Sequence, residues 1–329
     1  MLIIEAPAKL NLTLAVNGRR PDGYHLIESV MQTIDLTDCV ELVPTAGGTA
    51  VRCEGPDGVP TDETNLAARA VEALRRAAPP DRGQLGGLEI RIRKRIPVAA
   101  GLGGGSANAA AALIGANALW QLGLDQAALA RVGVQLGADI PFCLHGGTAV
   151  ARGIGEVLAP VPAAPPLAGV VVNPGFPVST AEVYRQFDQL YAGALGAEVR
   201  AGIANGAAGG ATGSPAAPRF LPGAAGRAAA MVQALQRRDV AAVARLLHND
   251  LEPAAARLYP EIARLREQVL RAGALGAVMC GSGPTVFGLA ADADHARELA
   301  RRLADAAPFV VPCRFRDQGC RVVQSQACP

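Results

Sequence analysis

The stretch that decides the fold is PVAAGLGGGSANAAAAL, residues 97–113. Four glycines fall within residues 101–105, a serine follows, and a run of small residues favours a helix from about Ser106 to Leu122. Glycine costs backbone entropy, so this cluster indicates unusual dihedral angles or a ligand that lies against bare backbone. Glycine amides that lead into a helix N-terminus offer N–H donors and the positive end of the helix dipole to a phosphate.

Two common phosphate-binding loops do not fit this stretch. A P-loop needs a lysine and then serine or threonine after its last glycine, whereas Ser106 and Ala107 follow Gly105. A GxGxxG dinucleotide loop is matched by Gly101 and Gly103 but has serine in third place, which leaves an oxidoreductase only as a formal alternative. A glycine turn that serves packing alone stays open. The remaining interpretation is a nucleotide triphosphate site that lacks the P-loop lysine.

Composition restricts the remaining function classes. The chain has 329 residues, is 50% hydrophobic and carries a net charge of +2, so no basic footprint for nucleic acid is expected. No apolar run approaches the ~20 residues of a membrane span. The N-terminus starts with a strand pattern and is not predicted to be a signal peptide. The seven cysteines form no CxxC pair, and their odd number, without a signal peptide, predicts reduced thiols in a cytoplasmic protein. A monomer or homodimer is expected.

Strand and helix patterns are mixed without regular alternation, which predicts an α+β fold with two lobes. A proline-rich segment, residues 160–169, places the boundary between an N-terminal domain, 1–162, and a C-terminal domain, 163–329, with an Ala/Gly-rich insertion near 192–229. The other local predictions are strands over 1–16, 29–43 and 87–98, a hairpin over 46–58, a helix over 61–78 capped by Thr61 or Asp62, and a tail with no clear pattern after about 316. The basic segment RIRKR, residues 91–95, is predicted to be a solvated strand face, with a role near an anionic ligand as the alternative.

Three separated motifs resemble those of the GHMP kinases, a family of small-molecule kinases. They are APAKLNLTLAV (6–16), the glycine stretch itself (97–113) and MCGSGPTVFGL (279–289). The resemblance implies a two-lobed fold, with an N-terminal α/β lobe that holds the glycine-rich phosphate loop and a ferredoxin-like C-terminal lobe.

The segments 7–36 and 137–156 are similar to the branch of this family that acts on a cytidine-diphosphate-linked methylerythritol. That resemblance implies transfer of the γ-phosphate of ATP, with Mg²⁺, to the 2-hydroxyl of the methylerythritol part, in the non-mevalonate isoprenoid pathway. A GHMP kinase for another alcohol, and a non-catalytic nucleotide-binding regulator on the same scaffold, remain as alternatives.

The resemblance gives two residues catalytic roles, and their chemistry agrees with them. Asp139 lies in an apolar stretch, where an idle carboxylate would be costly, and is the candidate base; its alternative is a helix or turn cap. Lys9 has apolar strand neighbours and would keep Asp139 ionised; its alternative is a solvated strand lysine. Asn11 shares the strand face of Lys9 and is a candidate substrate contact.

The other site residues are also implied by the resemblance. Tyr24 and His25 are expected to bind cytosine by stacking and hydrogen bonding, Thr180 and Tyr184 to line its other side, and Ile154 to form an apolar wall. Family members often have phenylalanine where Tyr184 stands. Gly281, Ser282 and Gly283 are expected to guide substrate phosphates or support the first loop. The expected ATP-binding residues are Asn65 (alternatively a helix cap), Pro97, Ala99, Gly101, Leu102, Gly103, Gly104, Gly105, Ser106 and Ala107, with Ser106 on a phosphate or the magnesium ion. No cluster of metal-ligating side chains is predicted.

Overall fold

Two long antiparallel strands form the centre of the computed structural model, which describes residues 1–55, 58–79, 85–162, 167–191 and 226–323. Strands β1 (Leu2–Arg19) and β2 (His25–Thr45) pair along almost their whole length. The turn between them is closed by a hydrogen bond from Gly23 N to Arg20 O, 3.0 Å. The predicted strands over 1–16 and 29–43 are confirmed and extend further than predicted.

The remaining elements follow in chain order. The strands are β3 (Ala50–Glu54), β4 (Gly87–Arg93), β5 (Thr148–Arg152), β6 (Val157–Val161), β7 (Ala168–Asn173), β8 (His248–Asn249), β9 (Gly276–Met279), β10 (Val286–Leu289), β11 (Phe309–Arg316) and β12 (Arg321–Val323). The helices are α1 (Leu66–Ala77), α2 (Gly104–Leu119), α3 (Gln126–Gly133), α4 (Ile140–His145), α5 (180–191), α6 (Arg227–Gln236), α7 (Val240–Leu246), α8 (Glu252–Leu258), α9 (Pro260–Arg271) and α10 (Ala293–Arg302).

In the N-terminal lobe, α2 packs against the sheet formed by β1, β2, β4 and β3, and α1 packs against α2. The small residues of α2 explain this close packing, since Ala109 to Ala112 are fully buried and a Cβ on Gly115 would lie 2.8 Å from Leu42 Cδ1. The hairpin predicted over 46–58 is wrong. β3 does not pair with β2; it pairs in parallel with β4, which occupies the place beside β2.

The C-terminal lobe contains a four-stranded antiparallel sheet in the order β11-β7-β10-β9, and helices α9 and α10 pack against it. This is the β-α-β-β-α-β arrangement of ferredoxin-like folds. Strand β11 also pairs with β2, and β12 pairs with β1, so the end of the described chain returns to the first lobe. The mixed α+β fold predicted from the sequence is therefore confirmed, whereas the short β12 was not predicted.

Several local predictions need correction or lie outside the described residues. Helix α1 is capped by Asn65 rather than by Thr61 or Asp62. Helix α2 begins at Gly104, two residues before the predicted start. Most of the insertion near 192–229 falls outside the described residues. Cys53, Cys143, Cys280, Cys313 and Cys320 are free thiols, but Cys39 is disulfide-bonded, so the prediction of reduced thiols holds only in part. None of the described helices is both long and apolar enough to cross a membrane.

Candidate active site

A cleft of about 1390 Å³ lies between the two lobes and collects most of the predicted site residues. The predicted residues that line it are Lys9, Asn11, Tyr24, His25, Asn65, Pro97, Ala99, Gly101, Gly103, Gly104, Gly105, Ser106, Asp139, Ile154, Thr180, Tyr184, Gly281 and Ser282. Leu102 and Ala107 are instead buried in the two hydrophobic cores. A Cβ on Gly283 would lie 2.8 Å from Met279 Sδ, so this glycine faces the interior of the C-terminal lobe.

Lys9 and Asp139 form an ion pair at the floor of the cleft. Lys9 Nζ lies 3.3 Å from Asp139 Oδ2, and the side chains are 6% and 34% exposed. Lys9 Nζ also donates to Asn11 Oδ1, 2.8 Å, and Asn11 Nδ2 donates to Ser29 Oγ, 2.8 Å. The lysine is therefore held in place on β1. The predicted alternative of a solvated strand lysine is wrong.

Asp139 stands at the position where a helix cap is expected but does not act as one. It is the residue before α4, and its side chain makes no capping hydrogen bond. Pro141 occupies an early position of α4, where its missing N–H removes one donor that a cap would otherwise satisfy. The carboxylate is thus left to contact Lys9 and the open cleft.

The glycine loop approaches the rest of the site through bare backbone. Gly101 and Gly103 have φ angles of +76° and +70°, which are unfavourable for residues with a side chain. A Cβ on Gly101 would lie 2.0 Å from Cys280 O, and one on Gly103 would lie 2.9 Å from Lys9 Cγ. Gly103 is the N-cap of α2 and supplies no side-chain cap, so the first amides of α2 remain available at the cleft. Gly105, in this first turn, faces open space.

The third motif packs against the first and second. A Cβ on Gly281 would lie 2.9 Å from Gly101 O and 3.3 Å from Lys9 Nζ, so the two glycine loops meet beside the lysine. Asn249 Nδ2 fixes this turn by donating to Met279 O, 2.8 Å, and to Gly281 O, 2.7 Å. Thr180 Oγ1 and Ser282 Oγ lie 2.7 Å apart and connect α5 to the same turn.

An aromatic group, formed by Tyr24, His25 and Tyr184, also lines the cleft. The rings of His25 and Tyr184 are stacked with centroids 4.6 Å apart, whereas Tyr24 is 61% exposed. A base between two rings needs roughly 7 Å, twice the ordinary contact distance. His25 and Tyr184 therefore leave no room for a base between them. Burial raises the pKa of the Tyr184 hydroxyl, which therefore stays protonated.

Sequence reasoning missed a buried charge cluster behind the glycine loop. Lys94 Nζ lies 2.5 Å from Asp38 Oδ2, and Asn108 Nδ2 of α2 donates to the same oxygen, 2.9 Å. Asp38 Oδ1 accepts from the backbone N–H groups of Arg95 and Ile96. Burial lowers the pKa of Lys94, although Asp38 opposes this effect. The alternation of side chains along a strand could have identified Lys94 as a buried residue. Lys94 lies on the same face as the buried Ile92 and Ile96, whereas the exposed arginines lie on the opposite face.

Asn65 has the structural role that the sequence left as its alternative. Its Oδ1 accepts from Ala67 N, 2.9 Å, and its Nδ2 donates to Pro60 O, 2.6 Å. Both polar ends of the side chain are therefore used, although Asn65 still lines the cleft. No group of three or more histidine, cysteine or acidic residues among the described residues could hold a metal ion.

Comparisons with known proteins agree with this geometry. The family described as "GHMP kinases N terminal domain" matches residues 65–147, and "GHMP kinases C terminal" matches residues 231–308. The chain is 48% identical over 298 residues to the 4-diphosphocytidyl-2-C-methyl-D-erythritol kinase of Pelotomaculum thermopropionicum, covering 90% of this chain and 92% of the relative. It is 43% identical over 326 residues to the kinase of the same name from Gloeobacter violaceus, covering 98% and 97%.

Solved structures give the same result. A crystal structure of 4-(cytidine 5'-diphospho)-2C-methyl-D-erythritol kinase matches with a TM-score of 0.69 and 35% identity, over 95% of this chain and 99% of that one. Homoserine kinase from Cytophaga hutchinsonii matches with a TM-score of 0.72 at 21% identity, over 98% and 97%, which shows a shared fold.

Proposed function

The chain belongs to the GHMP kinases and, within them, to the 4-diphosphocytidyl-2-C-methyl-D-erythritol kinases, and from this we propose that the cleft transfers the γ-phosphate of ATP to the 2-hydroxyl of its cytidine-diphosphate-linked substrate. Kinases of this name act in the non-mevalonate isoprenoid pathway. The observation that carries the proposal is the Lys9–Asp139 ion pair, which faces a cleft lined by the glycine loop and by a group of aromatic residues.

Asp139 is the proposed general base. Its carboxylate takes the proton of the 2-hydroxyl as the hydroxyl oxygen bonds to the γ-phosphorus, and the bond from that phosphorus to the β–γ bridging oxygen breaks to release ADP. The carboxylate suits this role because it is partly exposed to the cleft, is not used as a helix cap and carries its charge beside an ammonium group.

Lys9 is proposed to hold Asp139 in place through their ion pair and to stabilise negative charge that develops on the transferred phosphate. An ammonium group has three N–H donors. Among the described residues, Asn11 and Asp139 are the acceptors for two of them. The third donor is left for the acceptor hydroxyl or the phosphate, and burial of the lysine strengthens both interactions.

The nucleotide phosphates are proposed to bind the glycine loop between Gly101 and Ser106. The residues fit such a ligand because the N-terminal amides of α2 lack a side-chain cap and Gly105, in the first turn of that helix, borders open space. Gly101 and Gly103 are instead required by their close contacts with Cys280 and Lys9. Mg²⁺ is proposed to be held mainly by ATP oxygens, with the Ser106 hydroxyl as a protein ligand, since magnesium commonly keeps water and phosphate ligands. When bound, the ion would neutralise phosphate charge.

The cytidine end is proposed to occupy the space lined by Tyr24, His25, Tyr184 and Ile154. An aromatic face stacks on any base, whereas hydrogen bonds to the base edge select cytosine. A GHMP kinase that acts on mevalonate, homoserine or galactose has no use for such a site. We further propose that the enzyme acts in the cytoplasm, as a monomer or homodimer.

The test is a coupled ADP-release assay with ATP, magnesium and diphosphocytidyl-methylerythritol, in parallel with mevalonate, homoserine and galactose. We expect ADP release with the cytidine substrate alone. Release with another alcohol instead would contradict the cytosine assignment but leave the phosphate-loop assignment standing. The absence of release with all four would favour a non-catalytic nucleotide-binding protein.

A further inference from the structure

A carboxylate, that of Asp188, contacts the aromatic group through His25. Asp188 lies on α5, four residues after Tyr184, so both side chains are on the same face of the helix. Its Oδ1 lies 2.6 Å from His25 Nε2, and its Oδ2 lies 3.1 Å from Arg19 NH1. All three residues line the cleft, and Asp188 is the hydrogen-bond partner of His25 Nε2.

This contact determines which histidine nitrogen carries the proton. An ionised carboxylate only accepts hydrogen bonds, so Nε2 of His25 must be the donor. Arg19 already balances the charge of Asp188, so a neutral imidazole satisfies the contact without a second positive charge. With the proton on Nε2, the other ring nitrogen, Nδ1, becomes a hydrogen-bond acceptor.

The imidazole ring has little freedom to change this arrangement. The His25 side chain is only 7% exposed. It stacks on Tyr184 with a centroid distance of 4.6 Å and meets Phe187 edge-on at 6.2 Å. Because these contacts fix the plane of the ring and Asp188 fixes one nitrogen, the lone pair of Nδ1 has a defined direction.

From this geometry we infer that Asp188 is a positioning residue that makes His25 Nδ1 an acceptor for the 4-amino group of cytosine, and thereby rejects uracil. Cytosine presents an N–H donor at position 4, whereas uracil presents a carbonyl oxygen there, which would face the Nδ1 lone pair. A site built to receive a donor discriminates strongly against an analogue that lacks it, because buried polar groups then stay unpaired. The inference rests on the proposed function for the location of the base.

The test compares CDP with UDP in equilibrium binding by calorimetry, for the wild type and for Asp188→Asn. The asparagine amide can either accept from or donate to Nε2, so it no longer enforces one protonation pattern. We expect the wild type to bind CDP at least tenfold more tightly than UDP, and the variant to show a preference below threefold. Asp188→Glu, which keeps the carboxylate, should recover part of the preference.

Damage to the fold is distinguished by the ratio of the two affinities. A merely structural loss weakens CDP and UDP equally and leaves their ratio unchanged, and that result would overturn the inference. Glu182→Gln is the matched control, because it removes a carboxylate from the same helix that contacts Tyr259 rather than His25. It should keep the wild-type ratio.

A second measurement needs neither nucleotide nor activity. Nitrogen-15 spectra of the histidine side chains, with His25 assigned from His25→Asn, should show the proton on Nε2 in the wild type and a mixture of forms in Asp188→Asn. The proton on Nδ1 in the wild type would contradict the inference. The binding and spectroscopic results stand apart from the kinase assay, so a protein that prefers CDP but fails to phosphorylate would contradict the proposed function and leave this inference intact.

Discussion

Lys9 and Asp139 lie 3.3 Å apart at their charged ends, and of the two it is Asp139 that is substantially exposed to the cleft. The buried lysine is fixed by Asn11 and by the two glycine loops that pass beside it. A base must reach its substrate, whereas a charge that pairs with it acts most strongly when shielded from water. The unequal exposure of the pair fits this division of roles.

Replacing Lys9 by methionine is expected to lower kcat by at least about 100-fold, with the KM for ATP changed less than threefold. The variant removes the charge that is paired with Asp139 and is proposed to stabilise the transferred phosphate, while a side chain of similar length still packs against Gly103. Steady-state ADP release is the measurement. Arg20→Met, which removes an exposed cation paired with Asp22, is the control and should keep wild-type kcat. A Lys9→Met enzyme within threefold of wild-type kcat would contradict the assignment.

Two glycines of the loop should respond differently to alanine. Gly103→Ala places a Cβ 2.9 Å from Lys9 Cγ at a φ of +70°, so we expect a loss of roughly 1–2 kcal/mol of stability together with lower activity. Gly105→Ala meets no neighbouring atom within 4 Å and lies in a helix, so stability should be kept. Its methyl group would instead obstruct the phosphates and raise the KM for ATP.

Thermal unfolding and ATP kinetics of both variants test this contrast. If Gly105→Ala leaves the KM for ATP unchanged, the phosphates do not approach the backbone at this position. If Gly103→Ala is as stable and active as the wild type, the close approach to Lys9 does not constrain the loop.

The sequence predicts the fold and the location of the site better than the contacts within it. Strand alternation and the glycine loop predict β1, β2 and α2 from local chemistry, and the motifs bring Lys9 and Asp139 to one cleft. The partner of β3 depends on the place that β4 takes beside β2, which no local pattern reveals. The stacking of His25 on Tyr184 likewise joins residues far apart in the chain.

The charge cluster behind the loop shows a second limit of sequence reasoning. The segment RIRKR, residues 91–95, looks like a solvated strand face, but Lys94 points to the buried side of the strand. Its partner Asp38 lies on another strand, so only the tertiary structure reveals that the charge is balanced. Asp188 was missed for a related reason, since its role depends on His25 and Arg19, which lie on distant strands.

Asp38→Asn should destabilise the protein by about 3–5 kcal/mol, because it leaves the Lys94 ammonium buried beside a neutral group. Adding Lys94→Met should recover at least half of that loss, since the unbalanced charge is then removed. Urea unfolding at pH 7 measures both variants. Equal destabilisation by the single and double variants would show that the hydrogen bonds of Asp38 to Arg95 and Ile96, and not its charge, dominate.

The buried thiols should make the protein less stable at alkaline pH. Burial raises the pKa of the Cys143, Cys280, Cys313 and Cys320 thiols above the ordinary value of 9.0, and that of Cys280 to about 12. Above about pH 9 the unfolded chain loses these protons while the folded chain keeps them, so the free energy of unfolding falls as pH rises. Cys280 alone contributes roughly 1.4 kcal/mol per pH unit once the unfolded thiol is ionised.

Urea unfolding of the wild type and of Cys280→Ala between pH 8 and pH 11 measures this contribution. The difference between the two proteins isolates Cys280 from Lys94, whose lowered pKa acts in the opposite direction in this range. The variant should lose less stability with rising pH than the wild type. Parallel pH profiles would show that Cys280 is not shielded in the folded state.

The measurement that tests the central claim most directly is the rate of ADP release by Asp139→Asn with saturating ATP and diphosphocytidyl-methylerythritol. General bases contribute about 100- to 10,000-fold to such rates. We therefore predict that kcat falls at least about 100-fold, with equilibrium binding of ATP kept within threefold of wild type. The matched control is Asp294→Asn, which removes an exposed carboxylate outside the cleft lining and should leave kcat unchanged. A kcat within threefold of wild type for Asp139→Asn would contradict the claim that this carboxylate takes the proton.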